Sequence, residues 1–288
     1  MKAAVIILNY HSSADCAKCI RYIKQQEGID VEIIVVDNGS AETDRENLER
    51  ICQSEECSLL INKENTGYNA GNNVGLRFAA RHGHQYALIA NPDMEFPQTN
   101  YLSGMINEME KDPSIAVSGS DIITPEGIHQ SPMKRDGNWT SSFGWIKGFL
   151  HKKASDKYDF IEDYNKSHYC CKVSGCCILL RLSFVKEIGF FDEYPFLYCE
   201  EAILSRQVEQ TDHWKMYYTA KYQAVHRHIT KEKGNPIPRL KHWRRSRLYY
   251  IDQYSGYSKI GKTVAKFSTR LHIITLSILL QIKQASHA

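Results

Sequence analysis

The 288 residues, 42% hydrophobic and 24% charged, describe an ordinary globular chain of one large or two modest domains, and exclude disorder or a collagen-like repeat. A chain of this length buries roughly 75% of the surface its unfolded form exposes, so the nine cysteines are not needed as staples. The net charge of +3 hides an asymmetry: residues 221–288 hold fourteen Lys and Arg against Glu232 and Asp252, a net of +12, and residues 1–220 carry −9.

The first apolar run, Ala3 to Leu8, is too short for a secretory leader and reads as a strand, so a cytoplasmic chain with free thiols is expected. Ser12 to Gln26 has helical periodicity with capping chemistry at its start. VEIIVVD at 31–37 is apolar on both faces, as a buried parallel strand is. A helix from about Thr43 to Ser54, a strand from Ser58 to Ile61 and a helix from Ala70 to His82 follow. YALIANPD at 86–93 is a strand running into a turn, Asn100 to Lys111 a helix and Ile115 to Ser118 a strand. This alternation predicts an α/β fold around a mostly parallel sheet.

From Thr124 to Tyr169 the periodicity fades, in a stretch that contains Trp139, Phe143, Trp145 and Phe149. A segment this long without a pattern marks a functional insertion or lid. KVSGCCILLRLSF at 172–184 reads as a strand entering a helix, another helix begins near Glu200, and Lys215 to Tyr218 is a late strand. Two basic helices are expected beyond, Pro238 to Tyr254 and Lys259 to Gln284, giving a body over 1–230 and a C-terminal helical extension over 231–288. No stretch reaches the roughly 18 apolar residues that span a bilayer, because Thr275, Ser277 and Gln281 interrupt the longest run. Ile260, Val264, Phe267, Leu271, Ile274 and Ile278 recur at spacings of three and four beside Lys262, Lys266 and Arg270. That pattern fits a packed core helix, a homodimer interface or a basic amphipathic helix on an anionic membrane.

In an open parallel sheet a ligand binds outside the carboxyl ends of the strands. Four strands deliver amides or acids there: Asn9, Asp37 to Ser40, Asn62 to Gly67, and Asn91-Pro92-Asp93. A carboxylate at Asp37 can accept from a nucleobase imide or a ribose hydroxyl. Asp93 is positioned to hold a divalent cation beside a diphosphate, since Mg²⁺ commonly takes only one or two protein carboxylates. NTGYNAGNN at 65–73 is a glycine-rich turn entering a helix, without the P-loop lysine or the GxGxxG spacing, so neither an ATPase nor a Rossmann dehydrogenase is supported. The adjacent pairs Cys170-Cys171 and Cys176-Cys177 point to opposite faces of a strand and read as small apolar fillers rather than zinc ligands.

VVDNGS at 35–40, NTGYNAGNNVG at 65–75, NPDM at 91–94, VSGCCILLR at 173–181 and FFDEYPFLYCEEAILSR at 190–206 resemble, in order, the motifs of family-2 inverting glycosyltransferases. The likeness is greatest to rhamnosyltransferase-like enzymes of bacterial surface-polysaccharide synthesis. It implies a glycosyltransferase A-type nucleotide-sugar-binding fold, Mg²⁺ or Mn²⁺, and transfer of rhamnose or a similar sugar from a nucleotide-diphosphate donor to a glycan acceptor with inversion. On this chain it implies donor contacts from Asn9, Asp37, Asn65, Gly67, Asn72, Asn91 and Arg206, a metal site at Asp93 and His226, and Glu201 as catalytic base. The family's E-D-x-D-L reads Glu200-Glu201-Ala202-Ile203-Leu204, a longer base with the second acid lost. The chemistry asks for the same parts: one carboxylate to take the acceptor proton and a cation to stabilise the leaving diphosphate.

A lipid-linked acceptor and peripheral contact with the inner face of the cytoplasmic membrane suit the basic helices, and no nucleic-acid partner is expected. Two other classes stay open. A nucleotidyltransferase shares the sheet and the metal-binding Asp but wants a glycine-rich basic loop where NYHSSADC stands; a catalytically silent adaptor is encouraged by Ile203.

Overall fold

The computed structural model describes residues 2–146, 161–227 and 237–285, with side chains through 280. Phe149 and the boundary expected at 230/231 lie outside the described residues. Strands β1 (Lys2–Asn9), β2 (Asp30–Asn38), β3 (Ser58–Asn62) and β4 (Tyr86–Ala90) are parallel in the spatial order β3-β2-β1-β4. Beyond β4 the sheet becomes mixed. β8 (Cys177–Arg181) lies antiparallel between β4 and β6 (Ile115–Ile123), and β9 (Lys215–His226) runs parallel to β6. β5 (Met94–Glu95) and β7 (His168–Cys170) add antiparallel to β9. Parallel pairing still makes up most of the ladder of this α/β sheet.

Ala3 to Ile7 and Ile34 to Val36 are fully covered because helices pack on both faces of the sheet. On one face α1 (Ser13–Lys24), α2 (Glu42–Ser54) and α4 (Tyr101–Glu110) bury Ile20, Leu48 and Met105 against Val5, Ile7 and Val35. On the other, α3 (Tyr68–Arg81), α5 (Leu182–Glu187) and α6 (Glu200–Glu209) bury Leu76, Phe184 and Leu204 against Ile6, Ile34 and Val36. α3 lies close to β1 because two of its residues lack side chains. A Cβ at Gly71 would stand 2.6 Å from Leu8 Cδ1, and one at Gly75 2.6 Å from Ile6 Cγ2.

β6 and β9 run past the expected Ser118 and Tyr218. Gly119, Ser120 and Asp121 have weak strand propensity, and a register shift between Ser120 and Asp121 breaks the period that a sequence reading follows. The longer β9 matters, since it carries His226 into register with Met94, one residue beyond Asp93.

The two C-terminal helices, α7 (Ile237–Gln253) and α8 (Lys259–Ala285), pack on α6 through a small cluster of Ala202, Ile203, Tyr250, Ile251 and Ala265. Ile203, where the family pattern has an acid, is fully buried there, so position 203 holds the extension in place. In the patternless stretch, a single 3₁₀ turn over Trp139–Phe143 leads to Trp145, whose Nε1 donates to Ser268 Oγ on α8 at 3.0 Å. The apolar stripe of α8 is not core: Ile260 is 78% exposed, Phe267 61% and Ile274 56%. By length and composition alone, Lys259–Leu280 would also pass as a membrane-crossing helix, despite its interrupting polar residues.

Candidate functional site

The carboxyl ends of β1 to β4 converge on a tightly bonded polar layer. Asn9 is fully buried; its Nδ2 is shared among Asp37 Oδ1 (3.0 Å), Ser40 Oγ (3.1 Å) and Asp44 Oδ2 (2.9 Å). Its Oδ1 accepts from the backbone N–H of Ser12 at 3.1 Å. Asp37 is equally buried and also accepts from the Ser40 N–H at 3.3 Å. Asn9 and Asp37 are register partners whose polar atoms are spent on each other and on neighbouring turns. They therefore support the strand-end surface and do not line the cleft above it.

The next residue, Asn38, does line it. Its Nδ2 donates to Asn65 Oδ1 at 3.0 Å and to the Gly67 carbonyl at 3.2 Å, and its Oδ1 accepts from Asn62 Nδ2 at 3.0 Å and the Thr66 N–H at 3.2 Å. Gly67 sits at φ +94°, where a Cβ would meet the Phe196 carbonyl oxygen at 2.6 Å, so only glycine fits. The result is a cleft of about 510 Å³ walled by Leu8, Asn38, Asn65, Gly67, Tyr68, Asn91 and Asp93, and on its far side by Arg239 and His242 of α7.

Behind Asp93, which lines this cleft, His226 Nε2 lies 3.4 Å from Asp93 Oδ2, and its Nδ1 bonds Gln130 Oε1 at 2.8 Å. Burial disfavours a charged ring, but the neighbouring Asp93 and Cys176 outweigh it and push the His226 pKa up to about 10. Once the ring proton gives way to a cation, one carboxylate and one imidazole, with the Asn91 amide lining the cleft, form a donor set suited to Mg²⁺ or Mn²⁺ if phosphate and water fill the other positions. Among the described residues no three His, Cys, Asp or Glu side chains gather into a complete cage.

Tyr68 joins this cleft to the next cavity, its hydroxyl donating to the Gly175 carbonyl at 2.6 Å and approaching Asn91 Oδ1 at 3.2 Å. The second cavity, of about 240 Å³, is lined by Asn91, Gly175, Cys176, Glu200, Glu201 and His226. The two glutamates open α6 after an unusual turn: Tyr198 at φ +74° and Cys199 at φ +68° both lie in the left-handed region, which L-residues occupy at a cost. Glu200 accepts from the Tyr198 N–H at 2.5 Å. Burial, with the charge of Glu201 beside it, raises the Glu200 pKa to about 7. Glu201 accepts from the Gly175 N–H at 3.2 Å. It also lines a third cleft of about 590 Å³, walled by Arg135, Asp136, Trp145, Lys172, Trp243, Arg247 and His272. Glu201 thus stands where the central cavity meets that outer cleft.

The asparagines of α3 serve the fold around this site. Asn73 Nδ2 donates to the Phe191 carbonyl (2.9 Å) and Glu193 Oε1 (2.8 Å), its Oδ1 accepts from the Phe191 N–H (3.1 Å), and Asn69 Nδ2 donates to the Asp192 carbonyl (2.8 Å). They clamp the loop that leads to Glu200 and Glu201. Asn72 is fully buried, donating to the Tyr68 carbonyl one turn back at 3.0 Å, and does not line the cleft. Arg206 is also elsewhere, bonded to Glu209 Oε2 at 2.6 Å and to the Ser255 carbonyl at 3.4 Å; the cation that does line the cleft is Arg239. Tyr68 and Asn38 lay inside recognised motifs without being singled out. Arg239 belonged to the basic run of the expected C-terminal helices, read toward a membrane and not toward the donor, and His242 carried no local signal.

A family model described as "Glycosyl transferase family 2" matches residues 4–189. The low-salt glycan biosynthesis hexosyltransferase Agl10 of Haloferax volcanii is 22% identical over 96% of this chain and 81% of its own length. Among solved structures, GalNAc-T7 with UDP, GalNAc and Mn²⁺ superposes with a TM-score of 0.62 at 14% identity, over 94% of this chain and 55% of that one. This chain therefore spans only just over half of that protein. The mannosyltransferase PcManGT of Pyrobaculum calidifontis, in complex with GDP-Man and Mn²⁺, gives 0.57 at 14% identity, over 98% and 75% of the two chains. S. aureus TarS 1-349 with UDP gives 0.55 at 15%, over 92% and 70%. These likenesses establish a glycosyltransferase A-like α/β fold with C-terminal helices.

Proposed function

The chain belongs to glycosyl transferase family 2, and from that premise we propose that it moves rhamnose or a similar hexose from a nucleotide-diphosphate donor onto a lipid-linked glycan, with inversion by a single displacement. The observation that carries the reading is the position of Glu201, between the central cavity, whose His226 stands 3.4 Å from Asp93, and the separate outer cleft. A donor in the Asn38–Asn65–Asn91 cleft has its diphosphate toward Asp93 and its sugar in the central cavity. An acceptor in the outer cleft presents a hydroxyl to Glu201, which takes the proton as that oxygen bonds the anomeric carbon and the bond to the diphosphate breaks. Attack from the side opposite the leaving group inverts the centre. Mg²⁺ or Mn²⁺ held by Asp93 and His226 would supply positive charge for the diphosphate.

Asn38, Asn65 and Gly67 shape the nucleoside end, and Arg239 of the extension offers a further cation to the donor. Residues 1–230 then act as the catalytic body, and 231–288 as an extension that completes its donor cleft. The curated relative's role in glycan biosynthesis supports a glycan acceptor, and the UDP and GDP-Man bound by structural neighbours support a nucleotide-sugar donor. A panel of uridine, guanosine and thymidine diphosphate sugars, screened with Mn²⁺ for release of nucleoside diphosphate in the presence of a lipid-linked oligosaccharide, tests the proposal. Turnover of one donor supports it. Release of pyrophosphate when a nucleoside triphosphate and a sugar 1-phosphate are supplied in their place would return the nucleotidyltransferase reading, and silence in both assays the adaptor.

A further inference from the structure

We infer that α8 docks this protein on the surface of an anionic bilayer, lying along the interface with its outward face in the acyl boundary. This goes beyond the transferase reading and stands on different residues.

Ile260, Phe267, Leu271, Ile274 and Ile278 are separated by seven, four, three and four residues, so they share one face of the helix. All five are exposed. The opposite face holds Ala265, Ser268, Thr269 and the buried Ile273, and it is this mostly small and polar face that packs on the protein. Ser268 Oγ donates to the Ser142 carbonyl at 2.8 Å while accepting from Trp145 Nε1, and Lys266 Nζ reaches Asp252 Oδ1 at 2.8 Å. A surface helix of a soluble protein turns its apolar stripe inward; here the orientation is reversed.

Two further observations choose the occupant. The helix is held along one side by protein from Ala265 to Ile273, so lipid cannot surround it over that length, and the geometry is that of an interfacial helix. The exposed cations Lys259 and Arg270 on α8, and Lys241, Arg244 and Arg245 on α7, face only one acid on the two helices, Asp252, already paired with Lys266. A second copy docked on this face would oppose like charges, whereas anionic headgroups complement them. The inner face of the same helix contributes Thr269 and His272 to the outer cleft that Glu201 meets, so a bilayer on its outer face lies beside that cleft.

The test uses the full chain with no donor or acceptor present, so its outcome is separate from that of the transferase assay. Sedimentation with vesicles of phosphatidylcholine, with and without 30% phosphatidylglycerol, should show binding to the anionic vesicles that weakens at least tenfold between about 0.05 and 0.5 M salt. Because Phe267 and Ile274 are exposed, the F267E/I274E chain should keep its melting temperature and lose vesicle binding at least tenfold. The proposal is overturned if the intact chain ignores anionic vesicles at low salt, or if the double variant binds as well as the parent. A dimer in size-exclusion chromatography that this variant dissociates, or resistance of the intact chain to alkaline extraction from vesicles, overturns it too.

Discussion

Glu201 Oε1 accepts the backbone N–H of Gly175 at 3.2 Å, and a Cβ added at Gly175 would stand 2.9 Å from that same oxygen. The glycine of VSGCC therefore does two things for one carboxylate, bonding it and leaving it room.

Replacing Gly175 with Ala should push Glu201 aside with little change to the cleft proposed for the nucleotide, which residue 175 does not line. Misplacement of a reacting group by about 1 Å costs on the order of 10²-fold in rate. Steady-state kinetics should show kcat falling on that scale with donor KM within about threefold; an unchanged kcat would free Glu201 from this dependence.

Glu201→Gln keeps the shape of the side chain and removes its ability to take a proton. Turnover should fall by about 10²- to 10⁴-fold while calorimetric donor binding persists. Should Glu200→Gln prove the more damaging change, the base is its neighbour.

Asp93→Ala should abolish both transfer and Mn²⁺-dependent donor binding, because in the proposed mechanism this carboxylate, 3.4 Å from His226, would supply the anionic part of the cation's protein environment. Mn²⁺ electron paramagnetic resonance with donor present reads the second effect directly. Full activity in the variant, or in excess chelator, removes the metal from the mechanism.

Glu200 links pH to stability. Its pKa of about 7 in the fold lies above the ordinary 4.5, so the folded state retains a proton that the unfolded chain has released. The contribution of this residue to stability therefore falls as pH rises from about 4.5 to about 7, by on the order of 1–3 kcal/mol. Urea denaturation of Glu200→Gln should be flatter over that window than that of the parent, and a parallel pair of curves would contradict the buried acid.

Asn73→Ala removes three hydrogen bonds and leaves both backbone groups of Phe191 without their partner. Unsatisfied buried groups cost about 1–3 kcal/mol each, so a loss of roughly 2–4 kcal/mol in chemical denaturation is expected. Because the loop it clamps leads to Glu201, turnover should also fall near the melting range.

The strands β1 to β4 were legible because their apolar runs are long and their helices strongly periodic, whereas β5 and β7 have two and three residues and carry no period. At the site, the sequence located the strand ends and not the direction of each side chain. Asn9, Asp37 and Asn72 point into the scaffold, where strand-end position for the first two and the family resemblance for all three put them toward the ligand. A strand alternates its faces every residue, so Asp37 and Asn38 differ completely in what they touch. Arg239 and His242 reach the donor cleft from a helix about 200 residues after β2, brought there by the packing of Ile203 on Tyr250 and Ile251, the Ser246 bond to the Leu197 carbonyl and the stacking of His242 on Phe196.

Among the described residues the donor cleft and the outer cleft have no lining residue in common; Tyr68, Asn91 and Leu197 open the central cavity to the first, and Glu201 to the second. On the proposed function each substrate then has its own doorway, and neither closes the other's. Such an architecture permits a random-order ternary complex: initial-rate lines that intersect, and a nucleoside diphosphate product that competes with the donor and leaves access for the acceptor untouched.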